Sequence, residues 1–585
     1  MSTFLVSRRL RIGGVIVLAI VAIATALGGS AVAKTQAADN TPLCVLHPQL
    51  CVEQLDPWTW NGYTYTSGHD EPSLLYYSNT PGSGNSQLYR LTLPTDPPTA
   101  PSQDATGGTW NFQLHPAFWF GMAMCDNQAA PNPTVPCPRD SDANIKTSTD
   151  PNSPNYLGLT PGSAFMEMQF YPPGWGPVSC TDANGNTDGK WCAALTIDSV
   201  QSNSNTGVPN NAACNSAVGP EPVNWAMITK SGNSQVPANP FEGFGNQAVT
   251  TADTLEFNNG DKLVVNMHDT AGGFKVVIND QTTGQHGSMT ASVANGFGHA
   301  LYQPNASTCT LQLYAFHPMY STSGPDTRVL WAAHSYNVAF SDEIGHFEYC
   351  NSINPSNFHC NGYPNPTDAV PESGPLNDDR SCFPAPVLDS GGNTVVDSFI
   401  GCLRSDGDFD GPEYQNGTWP GTTGADPTKV STPIQFSSPL FTESQGPQDN
   451  QGQDELHNYS QVAFETDLPR IEGTDSSPNN NCQRHVTNPA DPNPGQGCVN
   501  PPNGATFYPI FTTNTTLGGS CIWQEGGANI PGTTNTFGGT SAAEFGGLLL
   551  SNYPAAGFTI TQRYNNFHNT LDNNPCPAPT GQGQQ

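Results

Sequence analysis

Apolar and polar residues alternate in short runs along this chain, and each run is soon broken by glycine, proline or asparagine. The clearest is Ala164–Tyr171, AFMEMQFY, which runs directly into PPGW. Read as a strand, it sets Met166, Met168 and Phe170 on one face and Phe165, Glu167, Gln169 and Tyr171 on the other. Comparable runs occupy 109–124, 191–200, 223–229, 262–267, 274–278 and 335–340. Helical periodicity over several turns is almost absent, and 59 glycines and 54 prolines supply the breaks. Such a pattern specifies an all-β fold, a sandwich or barrel of many short strands.

Residues 1–33 have the three parts of a signal peptide. Arg8, Arg9 and Arg11 precede an apolar run from Ile12 to Leu27, and small residues lead to Ala33. The competing reading is an uncleaved anchor. No later segment has the roughly 18 consecutive apolar residues of a membrane span, so a secreted, extracellular chain without a span after cleavage is expected. The chain carries 18 Lys+Arg against 49 Asp+Glu, a net of −31. A nucleic-acid partner is excluded on that balance, because phosphate binding draws on a basic surface. Neutral polymers, cationic ligands and divalent ions stay open, and oligomeric state is not encoded legibly.

All 16 cysteines follow the leader. In an exported chain an even count reads as a disulfide framework. Short separations suggest Cys44 with Cys51, Cys125 with Cys137, Cys180 with Cys192, Cys350 with Cys360, Cys382 with Cys402 and Cys482 with Cys498. Cys214, Cys309, Cys521 and Cys576 are left for longer bridges. After Cys350 the composition shifts toward Asn, Pro, Asp and Gly, which suggests a β-sandwich over 44–350 and a smaller, disulfide-rich, β-rich C-terminal unit over 351–585. One hairpin is legible within the first part: KLVVNM, a bend at His268–Gly273, and FKVVIND, with His268 and Asp269 capping the bend.

Three constellations carry chemistry. Asp406, Asp408, Asp410 and Glu413, in DGDFDGPEY, place hard oxygens at alternate positions before a glycine, as a calcium loop does. Position 12 is Gly417 and not the Glu of an EF-hand, so the reading is a structural Ca2+ loop of another kind, with an acidic turn as the alternative. Asp182, Asn184, Asn186 and Asp188 form a second candidate loop. Glu167 and Glu343 are candidate partners in general acid–base hydrolysis, and Tyr171, Trp175 and Trp191 are candidate stacking surfaces for a glycan. HExxH, G-x-S-x-G, phosphate-loop and dinucleotide patterns are absent, and no organic cofactor is implied.

The strings GSAFMEMQFYPPGW, WCAALTIDS, GSMTASVANGFG, FHPMYSTS, AFSDEIGHFEYC, DFDGPEY and ATFYPIF resemble a family of secreted bacterial proteins from about Trp110 to Phe537. That resemblance implies export and no particular reaction. GDKLVVNMHDTAGGFKVVINDQTTGQ resembles a hairpin of the glutamic peptidases, acid-active secreted enzymes on a concanavalin-like (jelly-roll) β-sandwich that activate water with a Gln and a Glu. This second resemblance implies the concanavalin-like fold and, by position before and after the hairpin, Gln169 and Glu343 as the pair. W-V-G-I-D-G, L-Q-T-G and A-E-W-I-V-E, found in those peptidases, do not occur here. Together these readings suggest a secreted protein that binds or processes polysaccharide on a concave sheet face bearing Glu167, Gln169 and Tyr171. The alternatives are an acid peptidase and a non-catalytic envelope protein.

Overall fold

The computed structural model describes residues 73–95, 117–146, 148, 150–171, 190–203, 206–242, 251–324, 326–327, 329, 337–343, 434–443, 455–467, 521–525 and 573–579. It also describes the strand segments 387–388, 394–395, 408–409, 470–471, 511–514, 549–554 and 561–571. All of these belong to the unit Asp39–Gln585.

The strands that build the site are β1 (Ser73–Tyr77), β2 (Ser86–Thr92), β3 (Ala117–Cys125), β4 (Ser163–Tyr171), β5 (Trp191–Asp198) and β6 (Val223–Met227). They continue with β7 (Lys262–His268), β8 (Lys275–Asp280), β9 (His286–Thr290), β10 (Val338–Glu343), β11 (Gln435–Phe436) and β12 (Gln461–Asp467). A ten-stranded sheet runs Leu549–Pro554, Thr561–Leu571, β12, β1, β10, β3, β4, β5, β6, with Glu256–Phe257 beside β5. A nine-stranded sheet runs β9, β8, β7, β2, β11, Ile522–Glu525, Phe511–Asn514, with Leu440–Thr442 also beside β2 and Leu456–Asn458 beside Leu440–Thr442.

The two sheets form a β-sandwich, as the alternation requires. Along β4 the even residues Met166, Met168 and Phe170 are fully buried in the core between the sheets. The odd residues of the partner sheet meet them: Tyr89, Leu263, Val265 and Met267 belong to the same core. Rings interlock across the gap, with Tyr89 stacked on Phe120 at 3.9 Å and Phe340 on Phe436 at 4.1 Å between centroids. Between β7 and β8 the chain reverses at Thr270–Gly273, where Gly273 has φ of 131° and a Cβ would lie 2.3 Å from the Ala291 carbonyl oxygen. Only glycine fits that bend. Asp269 accepts from the Thr270 N–H at 3.0 Å, so its capping role holds, while His268 is the last residue of β7.

The boundary expected at 350 does not separate two sheet assemblies. β12 pairs with β1, and β11 pairs with β2, so strands from the second half of the chain complete both sheets. Cys125–Cys137 forms as expected, and the longer bridges are Cys214–Cys309 and Cys521–Cys576. Cys192 is also disulfide-bonded. Cys44, Cys51, Cys180, Cys350, Cys360, Cys382, Cys402, Cys482 and Cys498 lie outside the described residues, as does the leader. Among the described residues no helix is long and apolar enough to cross a membrane.

Phe120 touches Tyr89, Phe170, Phe340 and Phe436, so it ties the two sheets together. Phe120→Ala is expected to cost about 3–5 kcal/mol, from lost burial plus the cavity it leaves. Guanidinium titration checks this through a lower midpoint at an unchanged slope.

Candidate active site

Alternation that buries Met166, Met168 and Phe170 sends Phe165, Glu167, Gln169 and Tyr171 to the far face of the ten-stranded sheet. The sequence suggests an open, wet row there. The structure differs: Glu167 is 3% exposed, Tyr171 9% and Phe165 fully buried, leaving Gln169 as the half-buried member. The reason is a second apolar layer. Leu75, Trp119, Ala123 and Phe165 on this face are covered by Ala130, Val200, Met319, Tyr320 and Val329. On the other side Tyr171, Ala194, Trp225 and Met227 form a further cluster. Glu167, Gln169 and Thr196 make a polar strip between the two.

The strip is hydrogen-bonded along its length. Gln169 Nε2 donates to Glu167 Oε2, Tyr171 Oη donates to Gln169 Oε1, and Trp225 Nε1 donates to Tyr171 Oη at 3.2 Å. The amide is thereby fixed, with its nitrogen toward the carboxylate and its oxygen toward the phenol. Thr196, opposite Glu167 on β5, donates to the Glu167 carbonyl oxygen at 3.2 Å. On β3 the residue opposite Glu167 is Gly121, where a Cβ would fall 2.4 Å from Phe165 Cζ and 2.7 Å from Trp119 Cζ3. The two rings, edge to face at 5.7 Å, close over that glycine and wall the carboxylate on one side.

The carboxylate that the sheet sets beside Glu167 is Asp198. In the β4–β5 register Asp198 stands opposite Phe165 and Thr196 opposite Glu167, so the two acids are diagonal neighbours on one face. Asp198 Oδ1 is buried without a hydrogen-bond partner. Burial first, then the charges of Glu167 and Glu221, raise Asp198 well above the ordinary carboxylate range. One acid of the pair therefore holds a proton where free carboxylates have lost theirs. Asp198 ends the run WCAALTID, and alternation alone puts it on the face of Cys192 and Thr196. Which strand lies beside that face is not written in the run.

Other expected residues fall differently. Trp191 turns into the sandwich core, fully buried against Phe118, with its indole N–H donating to Asn259 at 2.8 Å. It starts β5 on the face opposite Cys192, so it is no ligand-facing surface. Glu343 ends β10 opposite Ala117, and its side chain lies outside the described residues. Its backbone is two strands across and four residues along from that of Glu167, roughly 17 Å by strand spacing. Trp175, Asp406, Asp410, Glu413 and the second calcium-loop candidate also lie outside the described residues. Asp408 is described only as backbone, in a parallel bridge with Arg470. Among the described residues no group of three or more His, Cys, Asp or Glu is placed to hold a metal ion.

Two buried Asp–His pairs went unforeseen in the sequence. His299 Nδ1 lies 2.8 Å from Asp126, and His317 Nδ1 lies 2.7 Å from Asp269. Burial pushes His299 down, but the Asp126 charge and hydrogen bonds from Asp126 and Gln312 outweigh it and hold the imidazole above its usual value. His317 precedes Pro318 and is buried.

No family model matches the chain, and no curated protein matches it in sequence. Among solved structures, Scytalido-glutamic peptidase with a peptide-based transition-state analog is similar at 9% identity, over 67% of this chain and 84% of that one, with a TM-score of 0.19. At that level no residue role transfers from it to this chain.

Because folded Asp198 keeps its proton to higher pH than the unfolded residue, its favourable contribution is complete below the ordinary carboxylate pKa. That contribution is lost as pH rises through the folded value. Asp198→Asn is therefore expected to raise the melting temperature relative to wild type near pH 7 and to leave it unchanged near pH 3, as thermal melts at the two pH values would record.

Proposed function

We propose that this chain is an acid-active hydrolase of peptide bonds in which Glu167 and Asp198 handle the protons of an attacking water. The observation that supports it is the placement of two carboxyl groups on adjacent strands of one sheet face, with burial raising Asp198 above the ordinary carboxylate range and Gln169 donating to Glu167. A base and an acid held side by side in a desolvated strip are what addition of water to a carbonyl requires. Glu167 takes a proton from water as the new C–O bond forms. Asp198 gives its proton to the departing nitrogen as the C–N bond breaks, and the proton on Glu167 then restores Asp198. Gln169 is the strip's half-buried member, and substrate enters against its amide. Three described disulfides suit work in an oxidising, extracellular setting.

A glycan-processing role on this face draws less support. Among the described residues the candidate rings are otherwise engaged, since Trp191 is sealed in the core and the Tyr171 hydroxyl is bonded to Gln169 and Trp225.

Denatured casein incubated between about pH 3 and 5 and again near pH 7, with peptides read by mass spectrometry, tests the reading. Cleavage at the acidic end is expected, reduced on the order of 10²–10⁴-fold in Glu167→Gln and Asp198→Asn. Intact casein, or cleavage that both variants retain, removes it. Sugar released from β-glucans instead would assign the strip to glycoside hydrolysis.

A further inference from the structure

At the end of β5 away from Asp198, the chain crosses from one sheet to the other. Glu256–Phe257 pairs with β5 in the ten-stranded sheet, and a turn over 258–261 then leads to Lys262, the first residue of β7 in the nine-stranded one. Cys192 stands opposite Glu256 and Trp191 opposite Phe257, a register that carries on to Lys190 opposite Asn258 at the open end of the ladder. The turn is fixed by its backbone. Asp261 N–H donates to the Asn258 carbonyl at 3.1 Å, Gly260 N–H to the Pro94 carbonyl at 3.1 Å, and Leu93 N–H to the Asp261 carbonyl at 2.9 Å.

This turn sets an amine, a primary amide and a carboxyl in line. Lys190 Nζ donates to Asn258 Oδ1, and Asn258 Nδ2 donates to Asp261 Oδ2 at 3.0 Å. The Asn258 backbone N–H donates to the same carboxyl oxygen at 2.6 Å, which holds the acid in place. The amide therefore has its oxygen on a cation and its nitrogen on an acid. A cation at the oxygen draws electrons from the amide carbon, and an acid at the nitrogen stands where a departing amine needs its proton. Asp261 is 2% exposed. Burial raises its carboxyl, the Asn258 N–H lowers it and the charge of Asp280 raises it again, leaving it above its ordinary value. The neighbouring cross-strand pair, Trp191 and Phe257, is fully buried in the sandwich core.

We propose that Lys190 and Asn258 join in an isopeptide bond that the chain forms on itself, with Asp261 as the acid. Half-buried Lys190 gives its ammonium proton to solvent, and its Nζ turns from Oδ1 to the carbon bonded to that oxygen. The Cγ–Nζ bond forms. Asp261 gives its proton to Nδ2 as the Cγ–Nδ2 bond breaks, ammonia leaves, and the surplus proton on Nζ restores Asp261. One amine and one primary amide become one secondary amide and one ammonia, with no co-reactant. Contact between the two side chains in the folded chain supplies the proximity that free lysine and asparagine lack. The bond ties the residue before β5 in one sheet to the turn that enters β7 in the other. It does not rest on the Glu167–Asp198 strip, so either assignment can fail alone.

Intact mass spectrometry of the reduced, full-length mature protein, with tandem sequencing of its tryptic peptides, tests the proposal. The mass is expected to be lower than the sequence demands by one ammonia, about 17 Da, with a branched peptide joining Lys190 to Asn258. Lys190→Arg and Asn258→Ala are each expected to restore the full mass, and Asp261→Asn to lower the linked fraction about tenfold or more. Lys190 precedes the strand and is half-buried, so Lys190→Arg keeps the fold, which matching circular dichroism verifies. A wild-type chain of full mass would overturn the proposal. So would a loss of ammonia that persists in Lys190→Arg, which would belong instead to ring closure at Asn259–Gly260. A linked fraction undiminished in Asp261→Asn would overturn the role given to the acid.

Discussion

Contact between aromatic rings across the two sheets fixes everything else in this molecule. Tyr89 on Phe120 and Phe340 on Phe436 leave no room for a strand to slip by one residue, because a slip exchanges its two faces. With Phe118, Phe170 and Trp191 packed into the same layer, the parity of β3, β4, β5 and β10 is set together. Alternation along β4 puts Met166, Met168 and Phe170 into that layer, and so Glu167 faces away from it.

What makes the far face chemically unusual is that it too is dry. Apolar clusters around Trp119 and Phe165 on one side, and around Trp225 and Tyr171 on the other, confine the polar strip. Burial of its Oδ1 and the neighbouring charge of Glu167 raise the acid at the end of β5 above the ordinary carboxylate range, while Gln169, Tyr171 and Trp225 supply fixed dipoles along the strip. Gly121 contributes by absence: any side chain there collides with the rings that wall the carboxylate.

Much of the fold was legible because it is written locally. AFMEMQFY announces its two faces by period alone, the β7–β8 hairpin by its glycine bend, and Cys125 with Cys137 by proximity. What was not legible depends on partners far away in the chain. Nothing in β1 says that it will pair with β12, and nothing in WCAALTID says that Asp198 will stand diagonal to Glu167. Trp191 was misjudged for a related reason: a tryptophan at a strand's first residue suits either face, and the register chose the core. The covering of the far face by Met319 and Tyr320 is likewise tertiary, since those residues read as part of a loop and not as a lid on a sheet.

The central claim is that Asp198, diagonal to Glu167 on one sheet face, keeps its proton above the ordinary carboxylate range. Neutron diffraction from deuterated crystals grown near pH 5 would locate that nucleus directly. The account requires a deuteron on the Asp198 carboxyl, with Gln169 donating to Glu167. A bare Asp198 carboxylate, or an Asp198 side chain turned into bulk water, would contradict it.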